Sequence, residues 1–349
     1  MGQAPQESAM DTVPLIDVRA LIDASSSPQA RREVAARMGA ACRHTGFFYV
    51  VGHGVDVGLQ ARLEALARDF FSRPEAEKQR VRMALGGRAW RGFFPVGGEL
   101  TSGRPDRKEG LYFGTELPPD DPRVRAGTPL HGPNLFPREP EALGGAVLEY
   151  MAALTSLGHA LMSGIALSLD LEADFFATRY MADPTVLFRI FNYPPGPEVD
   201  ADGLPVWGVG EHTDYGVLTI LKQDDAGGLQ VKTRQDGQTR WVDAPPVENA
   251  FVCNIGDMLD RMTRGVYRST PHRVLNRASR DRLSLPFFFD PDWTAEVRAI
   301  DSPALKDAGA DDHADRWDRQ SVHAFRGTYG DYLLGKVGKV FPDLRAEVL

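Results

Sequence analysis

His212 and Asp214 stand two residues apart in EHTDYGVLTIL (211–221), where a polar pair runs into an apolar, β-branched stretch. Alternate residues of a strand face the same side, so an imidazole and a carboxylate at this spacing can aim at one point. Alone, the pair is weak evidence. A chain with eight histidines meets one by chance, and a satisfied polar pair at a strand end reads the same way. His272, in the strand-like stretch TPHRVLN (270–276), adds a second imidazole. Two imidazoles and one carboxylate form the facial donor set of non-haem Fe(II) centres. Zinc hydrolases use the same set, so the ligands do not choose the metal.

Ten residues beyond His272, RLSLPFFF (282–289) places Arg282 and Ser284 on one face of a strand. Arg282 offers a planar fork suited to a carboxylate, and Ser284 adds a hydroxyl. A guanidinium buried among strands needs an anionic partner. Close after the distal histidine, the pair reads as a socket for a ligand carboxylate near the metal.

With these pieces in place, the sequence resembles the Fe(II)/2-oxoglutarate-dependent dioxygenase superfamily, in its isopenicillin-N-synthase-like branch. The resemblance rests on HTD (212–214), His272 and RLS (282–284). Around them lie NYPP (192–195), GGLQV (227–231) and NIGD (254–257). It extends to VPLIDVRAL (13–21), ACRHTGFFYVVGHGV (41–55), FFSRPEAEKQRV (70–81) and YGDYLLGKVGKVFP (329–342). It implies a mainly β fold, a double-stranded β-helix (jelly roll) core with flanking N-terminal, central and C-terminal helices. It implies Fe(II) on His212, Asp214 and His272, and 2-oxoglutarate held by Arg282 and Ser284 with help from Tyr193. The implied reaction consumes O2, converts 2-oxoglutarate to succinate and CO2, and oxidises a small molecule, with hydroxylation the expected outcome. Two alternatives stay open. One is an Fe(II) oxidase that does not use 2-oxoglutarate, of the isopenicillin N synthase or aminocyclopropane-carboxylate oxidase type. The other is a non-catalytic binding or sensor protein on the same scaffold.

Positioning such residues takes many short strands. Period-two patterning predicts strands at 185–193, 216–222, 228–232, 240–243, 250–255, 271–276 and 282–289, separated by turn-rich pieces. Helical spacing predicts helices over 28–45 and 56–72, and an apolar, buried helix over 142–170. A strand is expected at 46–55 and a helical segment at 314–340. The reading divides the chain into a loose 1–12, an N-terminal region 13–120, a linker and long helix 121–180, a jelly-roll core 181–295 and a C-terminal helical segment 296–349, all one unit. The stretch 86–138 is rich in Gly, Pro, Arg and aromatics, without a sustained period, and long irregular segments are often functional. Phe93, Tyr112, Phe287 and Phe289 are candidate pocket walls, as are Thr219 and Leu221. Arg91, Lys108, Glu109 and Arg189 could orient a polar substrate or simply be solvated surface charge.

Composition narrows the partners. A net charge of −8 with scattered basic residues argues against nucleic acid. No apolar run is read as membrane-spanning, and the N-terminus lacks a signal-peptide pattern. Cys42 and Cys253 lie in apolar contexts and read as buried free thiols in a reducing, cytoplasmic setting. The expected partner is a small-molecule substrate, with the chain a monomer or weak homo-oligomer.

Overall fold

The structure is a computed structural model describing residues 13–101, 103–235, 238–306, 311, 313, 316 and 319–341; the loose terminus expected over 1–12 lies outside the described residues. Its strands are β1 (Leu15–Asp17), β2 (Phe47–Val51), β3 (Gly92–Phe94), β4 (Leu100–Thr101), β5 (Arg104–Pro105), β6 (Glu109–Gly114) and β7 (Pro184–Tyr193). There follow β8 (Val209–His212), β9 (Leu218–Gln223), β10 (Leu229–Gln235), β11 (Gln238–Asp243), β12 (Phe251–Ile255), β13 (His272–Val274) and β14 (Arg282–Asp292). An eight-stranded sheet runs β1-β2-β12-β9-β14-β7-β6-β3, and a four-stranded sheet runs β11-β10-β13-β8. β4 and β5 form a separate hairpin. Only the β1–β2 pair of the large sheet is parallel. The result is a mixed α/β fold.

Register sorts the large sheet into two faces. Cys253, Ile220, Phe287, Phe188 and Phe113 lie opposite one another across β12, β9, β14, β7 and β6. These five residues are at most 1% exposed and face a layer of helices. The alternate positions face the four-stranded sheet, and a cavity lies between the two sheets, lined from both.

The helical layer is built from caps and apolar faces. Ser27 caps Pro28–His44 by accepting from the Ala30 backbone, and Asp56 caps Val57–Ser72 by accepting from Leu59. Both helices pack on Leu143–Ser168. That helix is 26 residues long and, by length and composition alone, could cross a membrane, contrary to the expectation that no run reached that length. Its apolar residues instead form the core: Leu154, Leu161 and Ile165 are fully buried. A Cβ on Gly158 would lie 2.7 Å from the Phe289 ring, so the missing side chain is what lets helix and sheet approach.

Two boundaries differ from expectation. The apolar strand after the HTD motif begins only at Leu218, and a short strand precedes the motif instead, ending on His212. The helical segment expected over 314–340 is a helix only from Tyr329 to Val340. Thr328 and Asp331 form a reciprocal capping box that starts it there. Residues 314, 315, 317 and 318 lie outside the described residues.

The close approach at Gly158 predicts that Gly158→Leu destabilises the protein by about 1–3 kcal/mol through overpacking. Gly335→Ala, mid-helix with open space around it, should stabilise by up to about 1 kcal/mol. Urea unfolding of the two variants should show these opposite signs.

Candidate active site

The antiparallel pairing of β13 with β8 sets His272 directly opposite His212, with ring centroids 4.2 Å apart. Asp214 is off the strand, two residues past the end of β8, so the turn rather than strand alternation brings its carboxylate round. Its Oδ1 lies 3.8 Å from His212 Nε2 and 3.7 Å from His272 Nε2. Among the described residues this is the one cluster of His, Cys and carboxylate groups with metal-site geometry, all its ligand atoms lying within 4.8 Å of one another.

Hydrogen bonds have already assigned the remaining atoms of these side chains. His212 Nδ1 lies 2.8 Å from the Gly210 carbonyl and His272 Nδ1 3.2 Å from that of Thr270. Each Nδ1 is thus the protonated donor, and each Nε2 keeps a lone pair facing Asp214. Asp214 Oδ2 accepts from the Thr219 hydroxyl at 2.6 Å and from the Asn254 amide at 2.7 Å. Oδ1 is left free. Phe47 packs edge-on against His272 at 5.2 Å.

Electrostatics prepare the same atoms. Burial pushes His272 down to about 4, with His212 beside it adding to the effect, and burial also lowers His212. Both imidazoles are therefore neutral at pH 7, the form that ligates a metal. Burial would raise Asp214, but the adjacent histidines and the bonds from Asn254 and Thr219 outweigh it and hold the carboxyl below its ordinary value. Two neutral nitrogens and one carboxylate oxygen converging on a buried point fit a divalent metal with open coordination positions.

The second site is the start of β14. Arg282 is 0% exposed and Ser284 3% exposed. Arg282 lies opposite Tyr193 of β7, its Cζ 4.8 Å from that ring. Its Nε donates to the Gly227 carbonyl and its Nη2 reaches Gln223 Oε1 at 3.5 Å. Its Nη1 is buried without a hydrogen-bond partner. A buried guanidinium with an unused donor is costly unless a ligand completes it, and no carboxylate of the protein is bonded to it among the described residues. Tyr193 and Ser284 line the cavity beside it. This fits the carboxylate of a bound acid.

Comparison with known proteins agrees with that geometry. Residues 176–291 match the family described as the 2OG-Fe(II) oxygenase superfamily. Residues 13–139 match the family described as non-haem dioxygenase in morphine synthesis N-terminal. The chain is 49% identical to a probable iron/ascorbate oxidoreductase of Dictyostelium discoideum, over 97% of this chain and 98% of that one. The chain belongs to the 2OG-Fe(II) oxygenase superfamily. This oxygenase is also 37% identical to a 1-aminocyclopropane-1-carboxylate oxidase of Dictyostelium discoideum, over 97% of both chains. Among solved structures it is similar to a full-length Neurospora crassa protein in complex with alpha-KG, with a TM-score of 0.76 and 26% identity over 97% of this chain and 99% of that one. It is a non-haem Fe(II)- and 2-oxoglutarate-dependent dioxygenase acting on a small molecule.

The oxygenase's cavity wall differs in part from the sequence-based expectation. Thr219 and Leu221 line it, although the Thr219 hydroxyl is committed to Asp214. Phe287 and Phe289 do not line this cavity. They have the opposite parity from Ser284 and face the helices, where Phe289 packs on His159 at 4.9 Å. The inward residue of that run is Phe288. Phe93 packs against Phe70 at 5.9 Å and is not part of the wall. Tyr112 lies just behind it, its hydroxyl donating to Glu99 at 2.6 Å. Lys108, Glu109 and Arg91 are buried, not solvated. Lys108 pairs with Asp106 at 2.6 Å and Glu99 at 2.8 Å.

Three contributors are not visible in the sequence. Asn254 falls in the strand expected over 250–255, but its role depends on lying in β12 opposite Thr219; the register between two separated strands is what reveals it. Tyr215 lines the cavity from the turn after Asp214. Tyr329, Leu333 and Val337 wall the cavity from the C-terminal helix, whose i, i+4, i+8 spacing marks one face.

Asn254→Ala and Thr219→Val should each weaken Fe(II) binding about 10–100-fold by freeing the Asp214 carboxylate to turn, as read by anaerobic metal titration. A pH effect follows from Asp290, also on the wall. Burial pushes its carboxyl up to about 7 despite bonds from Tyr329 and the Val217 backbone. Between the ordinary value of 3.8 and about 7 the folded protein holds a proton that the unfolded chain has lost. Stability therefore falls as pH rises through that window. In urea titrations, metal-free Asp290→Asn should gain stability relative to wild type as pH rises from about 4 to about 8.

Proposed function

We propose that His212, Asp214 and His272 hold the Fe(II) of this oxygenase through the two Nε2 atoms and Oδ1, and that Arg282, Ser284 and Tyr193 receive the distal carboxylate of 2-oxoglutarate. The observation that carries this is the buried Arg282, one of its donors unused, on the same inward face as the cavity-lining residues of β14. When bound, the iron and its cosubstrate supply O2 activation, turning 2-oxoglutarate into succinate and CO2 while a C–H bond of the substrate is oxidised, by hydroxylation in our reading. The chain's own groups do the positioning. Gly210 and Thr270 carbonyls fix the imidazole orientations, Thr219 and Asn254 fix the carboxylate, and Phe191, Phe288 and the C-terminal helix exclude water from the reacting carbon.

The finer assignments follow the same lines. The jelly-roll reading is supported by two sheets, antiparallel except for the β1–β2 pair, sharing one lined cavity. The isopenicillin-N-synthase-like branch rests on the order and spacing of HTD, His272 and RLS along the chain. Two buried free thiols, with no disulfide among the described residues, support a reducing, cytoplasmic setting.

Succinate release coupled to O2 uptake in the presence of candidate substrates tests the reaction. Oxygen uptake that needs no 2-oxoglutarate would instead set the chain with the oxidases, as its 37%-identical relative suggests. Arg282→Ala should raise the 2-oxoglutarate requirement roughly ten- to hundred-fold, the loss of a charge-assisted pair, with Fe(II) still bound. Unchanged 2-oxoglutarate affinity in that variant would remove Arg282 from the role.

A further inference from the structure

Arg189 is a cation on the cavity wall with no ion-pair partner among the described residues. It belongs to the inward row of β7, with Leu187, Phe191 and Tyr193. Among the described residues its guanidinium makes no ion pair and no hydrogen bond, and its Nε is buried without a partner. The lysine on the same wall is accounted for: Lys108 holds Glu99 and Asp106. Glu99, the acid on the same wall, is engaged by Lys108 and by the Tyr112 hydroxyl.

Stacking fixes the direction in which Arg189 can bind. Its Cζ lies 4.0 Å from the centre of the Tyr112 ring and 4.9 Å from that of Phe288. Rings against its faces leave the in-plane N–H edge as the open one, and that edge matches a planar carboxylate with two parallel bonds. One positive charge balances one carboxylate. A phosphate dianion would add repulsion from Asp214 and Glu99, which line the same cavity.

Arg189 is also far from the cosubstrate socket. Tyr193, which lies opposite Arg282, is four residues further along the same strand, a distance of about 13 Å. Arg189 lines the cavity itself, whereas Arg282 lies opposite Tyr193 beyond the lining residues of β14.

We propose that Arg189 docks a carboxylate of the substrate, so that this oxygenase oxidises small carboxylic acids, at a carbon held between Arg189 and the metal donors. The proposal rests on the oxygenase reading above and adds the substrate class to it.

The test uses anaerobic Fe(II) protein saturated with 2-oxoglutarate, so that added acids cannot report on Arg282. Hexanoate, phenylacetate and benzoate are each compared with the matching primary amide by ligand-observed NMR, in wild type, Arg189→Met and Arg189→Lys. At least one acid should bind wild type ten-fold or more tightly than its amide. Arg189→Met should abolish that preference and Arg189→Lys should keep part of it. The 2-oxoglutarate charge-transfer band should titrate within two-fold of wild type in both variants, which also shows that the site is folded. No acid preference in wild type overturns the proposal, as does a preference that survives in Arg189→Met. Equal weakening of acid and 2-oxoglutarate in Arg189→Met overturns it too, since Arg189 would then be a cosubstrate residue. A wild-type protein that never develops the band instead sinks the cosubstrate reading; the acid-to-amide ratio, repeated on the Fe(II) protein alone, still decides Arg189.

Discussion

The donor set depends on a division of labour between two sheets. The small sheet supplies the imidazoles, because β13 and β8 pair with His272 opposite His212. The large sheet supplies the hold on the carboxylate, because Thr219 of β9 and Asn254 of β12 both donate to Asp214 Oδ2. Asp214 belongs to neither sheet. Its turn is pinned from below by the start of the helix Asp257–Met262: the Asp257 backbone donates to the Asp214 carbonyl at 2.8 Å, and that of Met258 to Gly216 at 2.9 Å. Contact is so close that a Cβ on Gly256 would lie 2.5 Å from the Gly216 carbonyl oxygen. The spacing of these three side chains is thus set by how the sheets are seated on one another. A packing change at some distance from the iron donors reaches them through this turn.

How much of this is legible in the sequence depends on separation along the chain. His212, Asp214, His272, Arg282 and Ser284 are visible because their chemistry is unusual for strand-like stretches and their local spacing is short. Asn254 is not, since its role exists only once β12 is paired with β9, and nothing local to NIGD says which strand will lie beside it. Phe287 and Phe289 are misplaced by the sequence reading although the sequence contains the reason. If Arg282 and Ser284 face inward, then Pro286 and Phe288 must too, and the neighbouring phenylalanines must face the helices. The same parity, counted back from Tyr193, gives Phe191, Arg189 and Leu187. The strand expected over 216–222 is present but starts two residues late, because Tyr215, Gly216 and Val217 bend the chain before Leu218 starts the ladder.

Charge in the cavity follows from the same inward row. Buried carboxylates and cations are tolerated where they meet: Lys108 with Glu99 and Asp106 forms such a closed group, and Lys78 with Glu109 another at 2.5 Å. Breaking one partner of a closed group leaves an uncompensated charge and is strongly destabilising. Arg282 and Arg189 differ because their donors are incomplete within the protein. Buried polar groups in packed interiors are normally satisfied, so these two on the inward face are better explained by ligands than by stability.

The C-terminal helix joins these parts into one device. Tyr329 donates to Asp290 Oδ2 at 2.5 Å, at the inward end of β14, and Asp290 Oδ1 accepts from the Val217 backbone in the turn that carries Asp214. Three residues on, Tyr332 donates to Asp257 Oδ2 at 2.7 Å, the residue whose backbone holds the Asp214 carbonyl. The helix that walls the cavity is therefore anchored to both supports of the Asp214 turn. The C-terminal wall of the cavity and the turn that carries Asp214 are thus joined through two tyrosine–aspartate bonds.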